Sequence, residues 1–286
     1  MKALIFGCGY LGHEVAQLWC DGPNEIFAVT RDASRARQFE ENGLRPVIAD
    51  ITQPDSLNDL PKNIDVVLFA VGFDRSRYQD IREVYVDGLQ NVLQKIEKRF
   101  GQLIYISSTG VYGNADGDWV DETSPTDPQR PGGRACLEAE RLIQKGSSGS
   151  RSTILRLAGI YGPRRVPHLA AIEQKDWSRL SSHGHINLIH VRDAANIVDC
   201  VFERGITEEL FLVSDGQPPL RTELYDFVAE KVGTGPIDWS VPTESSSAKR
   251  SSANKRISNQ KLVEQMDYEF MFPDFKAGII DSLSLP

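Results

Sequence analysis

The run Lys2-Ala3-Leu4-Ile5-Phe6-Gly7-Cys8-Gly9-Tyr10-Leu11-Gly12, continued by His13-Glu14-Val15-Ala16-Gln17-Leu18-Trp19-Cys20, decides the fold. Residues 2–6 are an unbroken apolar stretch of strand length, and residues 10–20 repeat apolar side chains at helical spacing. Between them stand glycines in the order G-x-G-x-x-G. Gly7 permits a tight turn, Gly9 lets an anion approach the backbone, and Gly12 lets the helix pack close to the strand. The first helical turn, with Tyr10 and Leu11, then offers amide hydrogens and the positive end of the helix dipole to a pyrophosphate.

The same rhythm continues outward. Further strands are expected at residues 25–30, 45–49, 65–70, 103–107 and 153–157. They alternate with helices ending near residue 39 and spanning residues 82–99 and 136–144. The helix over 82–99 carries apolar Val84, Leu89, Val92, Leu93 and Ile96. Alternating strands and helices mean βαβ units and a parallel sheet covered on both faces. The fold class is therefore α/β: a doubly wound parallel sheet, the Rossmann arrangement, with a small C-terminal cap. Residues 1–160 read as the nucleotide-binding domain, rejoined by later strands around 187–215. Residues 161–286 read as a substrate-side cap. In that part, 163–182 is loop and short helix, 187–191 a strand, 193–203 a helix, 210–213 a strand and 224–231 a helix. Residues 146–150 are a turn, and the Ser-rich basic stretch 245–255 is expected to be a surface loop.

Composition bounds the function. The chain has 286 residues, 40 acidic and 32 basic, with a formal net charge of −8. Hydrophobic residues at 40% and charged residues at 25% describe an ordinary globular protein, neither a disordered chain nor one with a broad basic surface for nucleic acid. No apolar run reaches membrane-spanning length, and no secretory cleavage pattern follows Met1. The expected compartment is cytoplasmic and the expected partner a small molecule, not nucleic acid or membrane. Cys8, Cys20, Cys136 and Cys200 form no C-x-x-C pair and read as free thiols. No metal site is expected, because the His183-x-His185 pair has no third ligand nearby in sequence.

The second strand should end with the residue that reads the cofactor ribose. Sites preferring NAD place Asp or Glu there, whereas this chain has Thr30-Arg31, with Arg35 one turn further on. An arginine pairs with a 2′-phosphate that an acid would repel, so NADP is expected over NAD. Asp32 reads as the cap of the following helix.

Four further segments, Ile48-Ala49-Asp50-Ile51, Phe69-Ala70-Val71-Gly72, Ser107 to Gly113 and Arg156 to Pro163, join the opening glycines in resembling the extended short-chain dehydrogenase/reductase family, the NAD-dependent epimerase/dehydratase group. Residues 187–193 resemble that family's later I-H-V-x-D block, and the tail from Asn254 to Asn259 resembles a subgroup of short, atypical members. The resemblance covers nearly the whole chain. It implies that Asp50 and Ile51 sit at the adenine, that Ala70, Val71 and Gly72 lie along the cofactor with Ser107, and that Ile160 and Tyr161 flank the nicotinamide. Ser108 matches the family's catalytic Ser/Thr. Glu122 and Pro125 match a mostly structural loop. The opening turn is one residue shorter than the usual extended-family pattern.

The larger departure lies on the helix after the fifth strand. The family carries Tyr-x-x-x-Lys there, with both side chains on one face. The resemblance puts Gly132 at the tyrosine and Cys136 at the lysine, and neither can replace its counterpart. Tyr112, Tyr161 and Cys136 are candidate substitutes, and Arg134 is a candidate source of charge from another helical face. Arg164, Arg165, Arg179 and Arg192 read either as a basic substrate pocket or as solvated surface. His190 reads as a packed structural histidine. Two functions stay open. One is an NADP-dependent oxidoreductase or epimerase/dehydratase-like enzyme acting on a small polar, nucleotide-linked substrate. The other is a non-catalytic NADP(H)-binding sensor or scaffold. A homodimer through the long helices is compatible with either.

Overall fold

The computed structural model describes residues 1–74, 76, 80–96, 100–146, 148–244 and 254–284. Its centre is a seven-stranded sheet. β1 (Lys2–Phe6) leads into α1 (Tyr10–Cys20), β2 (Glu25–Thr30), α2 (Ala33–Glu41), β3 (Arg45–Ile48) and β4 (Ile64–Phe69). α3 (Gly88–Ile96), β5 (Phe100–Ser108), β6 (Trp119–Val120), α4 (Pro131–Lys145) and β7 (Ser152–Leu157) follow. The remaining elements are β8 (Gly159–Tyr161), α5 (Leu169–Glu173), β9 (Leu188–His190), α6 (Val191–Glu203), β10 (Glu209–Val213), α7 (Arg221–Val232), β11 (Arg256–Ile257), α8 (Gln260–Met266) and α9 (Phe275–Ser284).

The sheet order is β10-β7-β5-β4-β1-β2-β3. β1 runs parallel to both β2 and β4, β2 to β3 and β4 to β5. The chain winds outward from β1 first to one side, through β2 and β3, and then to the other. In such sheets ligands bind beyond the carboxyl ends of the strands at this reversal. Gly7 stands there, at the end of β1. The strands read as continuous apolar runs because both faces are covered: Ala3, Leu4, Ile5 and Phe6 are fully buried, as are Val66, Val67 and Leu68.

The chain divides into two compact units. One holds residues 1–111, 126–156 and 194–211, and the other holds 112–125, 157–193 and 212–286. Each has its own core. The first centres on Leu4, Phe6, Val67, Phe69, Leu89, Leu103 and Tyr105. The second centres on Tyr161, Leu188, Leu224, Tyr225 and Ile279.

Three local expectations are corrected. The helix expected over 82–99 is not uniform: residues 83–87 form one wider turn of π type before α3 begins. Its last residues, 97–99, lie outside the described ones. The strand expected at 187–191 shortens to β9 and pairs in parallel with β8, in a small sheet of its own rather than in the main one. The loop expected at 245–255 lies outside the described residues except for Asn254 and Lys255. Lys255 is buried, and its ammonium group donates to the Tyr112 and Gly113 carbonyls. Residue 147 of the expected turn 146–150 is also outside. No described helix is long and apolar enough to cross a membrane.

Candidate functional site

The glycine turn is built by close approach. Gly7 has φ +87°, and a Cβ there would fall 2.3 Å from the Ala70 carbonyl oxygen, so β1 can meet the end of β4 only without a side chain. A Cβ on Gly12 would fall 2.4 Å from the Gly7 carbonyl oxygen, which is how α1 seats against the turn. Gly9 differs: a Cβ there would meet nothing nearer than the Gly7 oxygen at 3.9 Å, so it faces open space. No side chain caps α1 and no acid stands in its first turn. An uncapped helix start over an open glycine is the arrangement a diphosphate fits.

The floor beside the turn follows from β4. The Ala70 amide donates to the Phe6 carbonyl at 2.8 Å. Val71 is half-buried and Gly72 is exposed. On the other side, the Asp50 carboxylate closes its own turn by accepting from the Thr52 amide and hydroxyl at 2.9 and 2.8 Å. Ile51 is buried, and its carbonyl accepts from Asn91 Nδ2 at 2.9 Å.

At the end of β2, Thr30 is buried and its hydroxyl oxygen accepts from the Asp32 amide at 3.2 Å. Asp32 caps α2 by accepting from the Ser34 amide and hydroxyl, so this carboxylate is committed to the helix. Arg31 is exposed. Arg35 reaches back across the turn, its Nη2 donating to the Cys8 carbonyl at 2.7 Å, with the guanidinium over the Phe39 ring. Cys8 is an unreactive thiol, pushed up to about 11 chiefly by burial.

β5 ends in two serines with different partners. The Ser107 hydroxyl donates to Glu140 at 2.5 Å, and Glu140 takes a two-pronged contact from Arg156, Nε at 3.0 Å and Nη2 at 2.6 Å. Glu140 and Arg156 are 1% and 5% exposed, so this charged pair is sealed in the first unit. Ser107, expected along the cofactor, thus turns its side chain toward α4. Ser108 is half-buried, and its Oγ accepts from the Gly110 amide at 3.0 Å, leaving its own hydrogen to donate elsewhere.

α4 carries Gly132, Gly133 and Cys136 and contains no tyrosine. Cys136 is pushed up to about 12, first by burial and then by the nearby Glu140 charge, and is a neutral thiol. Arg134 donates to the Gln129 carbonyl at 3.1 Å. Tyr85, in the wide turn before α3, escaped sequence reasoning because the apolar pattern runs through it unchanged. Its Oη accepts from the Phe73 amide at 3.1 Å, directly after Gly72.

In the second unit, Ile160 is half-buried in β8 and Tyr161 is 1% exposed. Gly278 of α9 closes on the hydroxyl end of Tyr161, where an added Cβ would fall 1.9 Å from Oη. Burial, and then the carboxylates of Asp215, Asp193, Asp274 and Asp281, push this phenol far above its ordinary range. The tyrosine expected at the nicotinamide therefore has its side chain sealed in the core. Tyr112 is buried too, donating to the Asp121 carbonyl at 2.8 Å. His190 packs 3.8 Å from the Phe272 ring and is lowered to about 4 by burial, in keeping with a structural role. Asp193 anchors the segment before α9 by accepting from Tyr268, Met271 and Phe272. Glu122 accepts from the Leu212 amide at 2.8 Å, a structural contact. Arg192 pairs with Asp281 at 3.1 Å, while Arg164, Arg165 and Arg179 are exposed. His183 contacts Ser182, and His185 contacts Asn254.

Comparison with known proteins agrees with this geometry. Protein YeeZ of Escherichia coli (strain K12) is 26% identical over 281 residues, covering 96% of this chain and 97% of YeeZ. The sterol-4-alpha-carboxylate 3-dehydrogenase, decarboxylating, of Dictyostelium discoideum is 21% identical over 260 residues, 84% of this chain and 79% of that one. The fold matches that of the Bordetella bronchiseptica enzyme WbmG, solved in complex with NAD and UDP, with a TM-score of 0.80 at 20% identity over 99% of this chain and 93% of that one. The model of the NAD dependent epimerase/dehydratase family matches residues 3–214. Family match and glycine-turn geometry agree, and the chain belongs to the NAD dependent epimerase/dehydratase family.

Proposed function

We propose that this protein is an NADP-dependent oxidoreductase or epimerase/dehydratase-like enzyme acting on a small polar, nucleotide-linked substrate. The observation that carries the cofactor preference is Arg35, held by the Cys8 carbonyl at 2.7 Å against the phosphate turn, while the nearby Asp32 carboxylate is turned into α2. A guanidinium there matches a 2′-phosphate, and no acid at the strand end opposes it. Arg31 and Thr30 complete that edge. The amides of Gly9, Tyr10, Leu11 and Gly12 hold the diphosphate, Asp50 and Ile51 border the adenine, and Ala70, Val71 and Gly72 form the ledge under the rest of the cofactor. When bound, NADP supplies hydride transfer. Ser108 donates its free hydrogen to a substrate oxygen and so steadies charge developing there. WbmG with NAD and UDP, and the sterol dehydrogenase, support a dinucleotide reading and a hydroxyl- or carbonyl-bearing substrate for the family at large.

Titration calorimetry with NADPH and NADH tests this reading. NADPH is expected to bind more tightly. Arg35→Ala is expected to weaken NADPH by about 10- to 100-fold, the effect of a lost hydrogen bond to a charged group, and to leave NADH nearly unchanged. Tighter NADH binding by the unaltered protein sinks the NADP assignment.

One observation favours a second reading. α4 presents Gly132 and a neutral Cys136, the positions to which the family resemblance would assign the proton-transfer pair. A non-catalytic NADP(H) sensor would bind cofactor with no turnover on any carbonyl or nucleotide-sugar substrate, and Ser108→Ala would leave its function intact.

A further inference from the structure

The wide turn at residues 83–87 interrupts an otherwise regular helix and carries one aromatic residue, Tyr85, which packs against the edge of the core. π-type turns inside helices recur at functional sites because they re-aim a single side chain. Val84, Val86, Gly88 and Leu89 around it are buried, while Tyr85 is half-buried. Its hydroxyl meets the Phe73 amide at 3.1 Å, and the two rings meet edge to face at 6.5 Å. The oxygen therefore sits at the residue that follows the Ala70, Val71 and Gly72 ledge, on the segment leaving β4 that Gly7 approaches at Ala70.

The helix carrying Tyr85 packs along α4. Arg82 pairs with Glu138 at 2.6 Å, and Ile81 lies in ordinary contact with the space over Gly132. Burial raises the Tyr85 phenol, and the nearby Cys136 raises it further. The Cys136 thiol is itself hydrogen-bonded to Ser107 and Tyr105 and stays neutral. Tyr85 thus presents a protonated hydroxyl between the ledge and α4. The Phe73 amide pointing at Oη favours the charged form that appears once the proton leaves.

We propose that Tyr85 is the proton donor of the candidate active site, placed by the wide helical turn over the ledge at Gly72. This deepens the enzymatic reading and rests on it. In the reducing direction a substrate carbonyl carbon receives a hydride with its electron pair from the reduced dinucleotide. The carbonyl π pair moves onto oxygen, and that oxygen takes the Tyr85 proton. The phenolate left behind is held by the Phe73 amide and recovers a proton from water. The net change is one carbonyl, one reduced cofactor and one proton to one alcohol and one oxidised cofactor.

The test uses the full chain with Tyr85→Phe and Tyr85→His. Tyr85→Phe keeps the ring, and its NADPH affinity by calorimetry is expected to stay within about threefold of the unaltered protein. On a panel of 4-keto nucleotide sugars and small aldehydes its kcat is expected to fall by about 10²- to 10⁴-fold, the usual worth of a positioned proton donor, with KM little changed. Tyr85→His, which titrates near pH 6.5, is expected to recover part of the rate with its pH profile moved down. A second readout needs no turnover. The phenolate absorbance difference between the unaltered protein and Tyr85→Phe is expected to titrate about one pH unit lower when NADP⁺ is added, because a cationic ring held over the ledge would lie near Oη and favour its charged form. An unmoved titration, or Tyr85→Phe turning over within tenfold of the unaltered protein, overturns the role of Tyr85 and leaves the enzymatic reading intact. Cofactor binding with no turnover by the unaltered protein on any substrate overturns that reading instead, and the absorbance titration then decides where the Tyr85 hydroxyl points.

Discussion

Replacing Arg156 by Met should be among the most damaging single changes in the first unit. Glu140 keeps its carboxylate 1% exposed and receives both prongs of Arg156, at 3.0 and 2.6 Å, together with the Ser107 hydroxyl at 2.5 Å. Arg156→Met fills much of the space but leaves an ion in the core with one neutral donor. Breaking one partner of a buried pair costs about 3–5 kcal/mol. For a domain of this size that is a fall in melting temperature of roughly 6–20 °C, at about 2–4 °C per kcal/mol. Glu140→Leu instead takes the carboxylate away from the buried guanidinium and should cost a similar amount. The double variant removes both charges and leaves the Ser107 hydroxyl with the weak Cys136 thiol in place of its carboxylate acceptor, a loss of about 1–3 kcal/mol that Ser107→Ala then relieves. The triple variant should return to within about 2 kcal/mol of the starting protein, since apolar groups of similar volume can replace a buried pair. Urea unfolding followed by circular dichroism gives all four free energies. Near-additive costs, with a coupling below about 0.5 kcal/mol, would show that the pair is hydrated or weakly bound and would refute this account.

Other outcomes follow from the same geometry. Gly9→Ala should leave thermal stability nearly untouched, because a methyl group there meets only open space, yet weaken NADP(H) at least about tenfold by filling the diphosphate cradle; unaltered affinity would mean the anion sits elsewhere. Lys255→Met should destabilise by about 1–3 kcal/mol, since the carbonyls of Tyr112 and Gly113 lose a buried donor; a change within error in urea unfolding would count against a buried role. Asp215 is pushed up to about 7, chiefly by burial, so its folded value lies above its unfolded one near 3.8. Its stabilising contribution is complete below about pH 4 and is lost as pH rises through about 7. His190, lowered to about 4, acts in the opposite sense: its contribution is complete above about pH 6.5 and fades as pH falls toward 4. Asp215→Asn should therefore gain on the unaltered protein between about pH 5 and about pH 8; parallel urea midpoints across that range would contradict the sign.

Much of the first unit is legible in one dimension because its signals are local. An apolar run, a run of glycines and an amphipathic stretch specify β1, the tight turn and α1 without reference to the rest of the chain. Short apolar runs flanked by turns likewise mark β2 to β5 and β7, whose continuous burial reflects helices on both faces. Asp32 announces itself as a cap by its place before α2. The strand at 188–190 was legible as a strand, but three apolar residues hold no record of their partner. The wider turn at 83–87 left no trace, since inserting one residue into a helical turn shifts the register by less than the width of the apolar stripe. Lys255 reads as solvent-loving in a Ser-rich stretch, and only the carbonyls facing it explain its burial.

The order of residues by itself determined that a parallel sheet begins at β1, that a tight glycine turn follows it, and that the edge of β2 bears arginine rather than an acid. Those features depend on backbone freedom at Gly7, on spacing, and on charge, all properties of neighbours in the chain. Only the tertiary structure decided where side chains from distant segments meet. It set Arg156 on Glu140, laid α9 over the Tyr161 ring, and turned Tyr85 toward the amide of Phe73. Such contacts form because packing brings together groups far apart in the chain, and whether a hydroxyl is sealed in a core or left facing a ledge depends on what the rest of the fold lays over it.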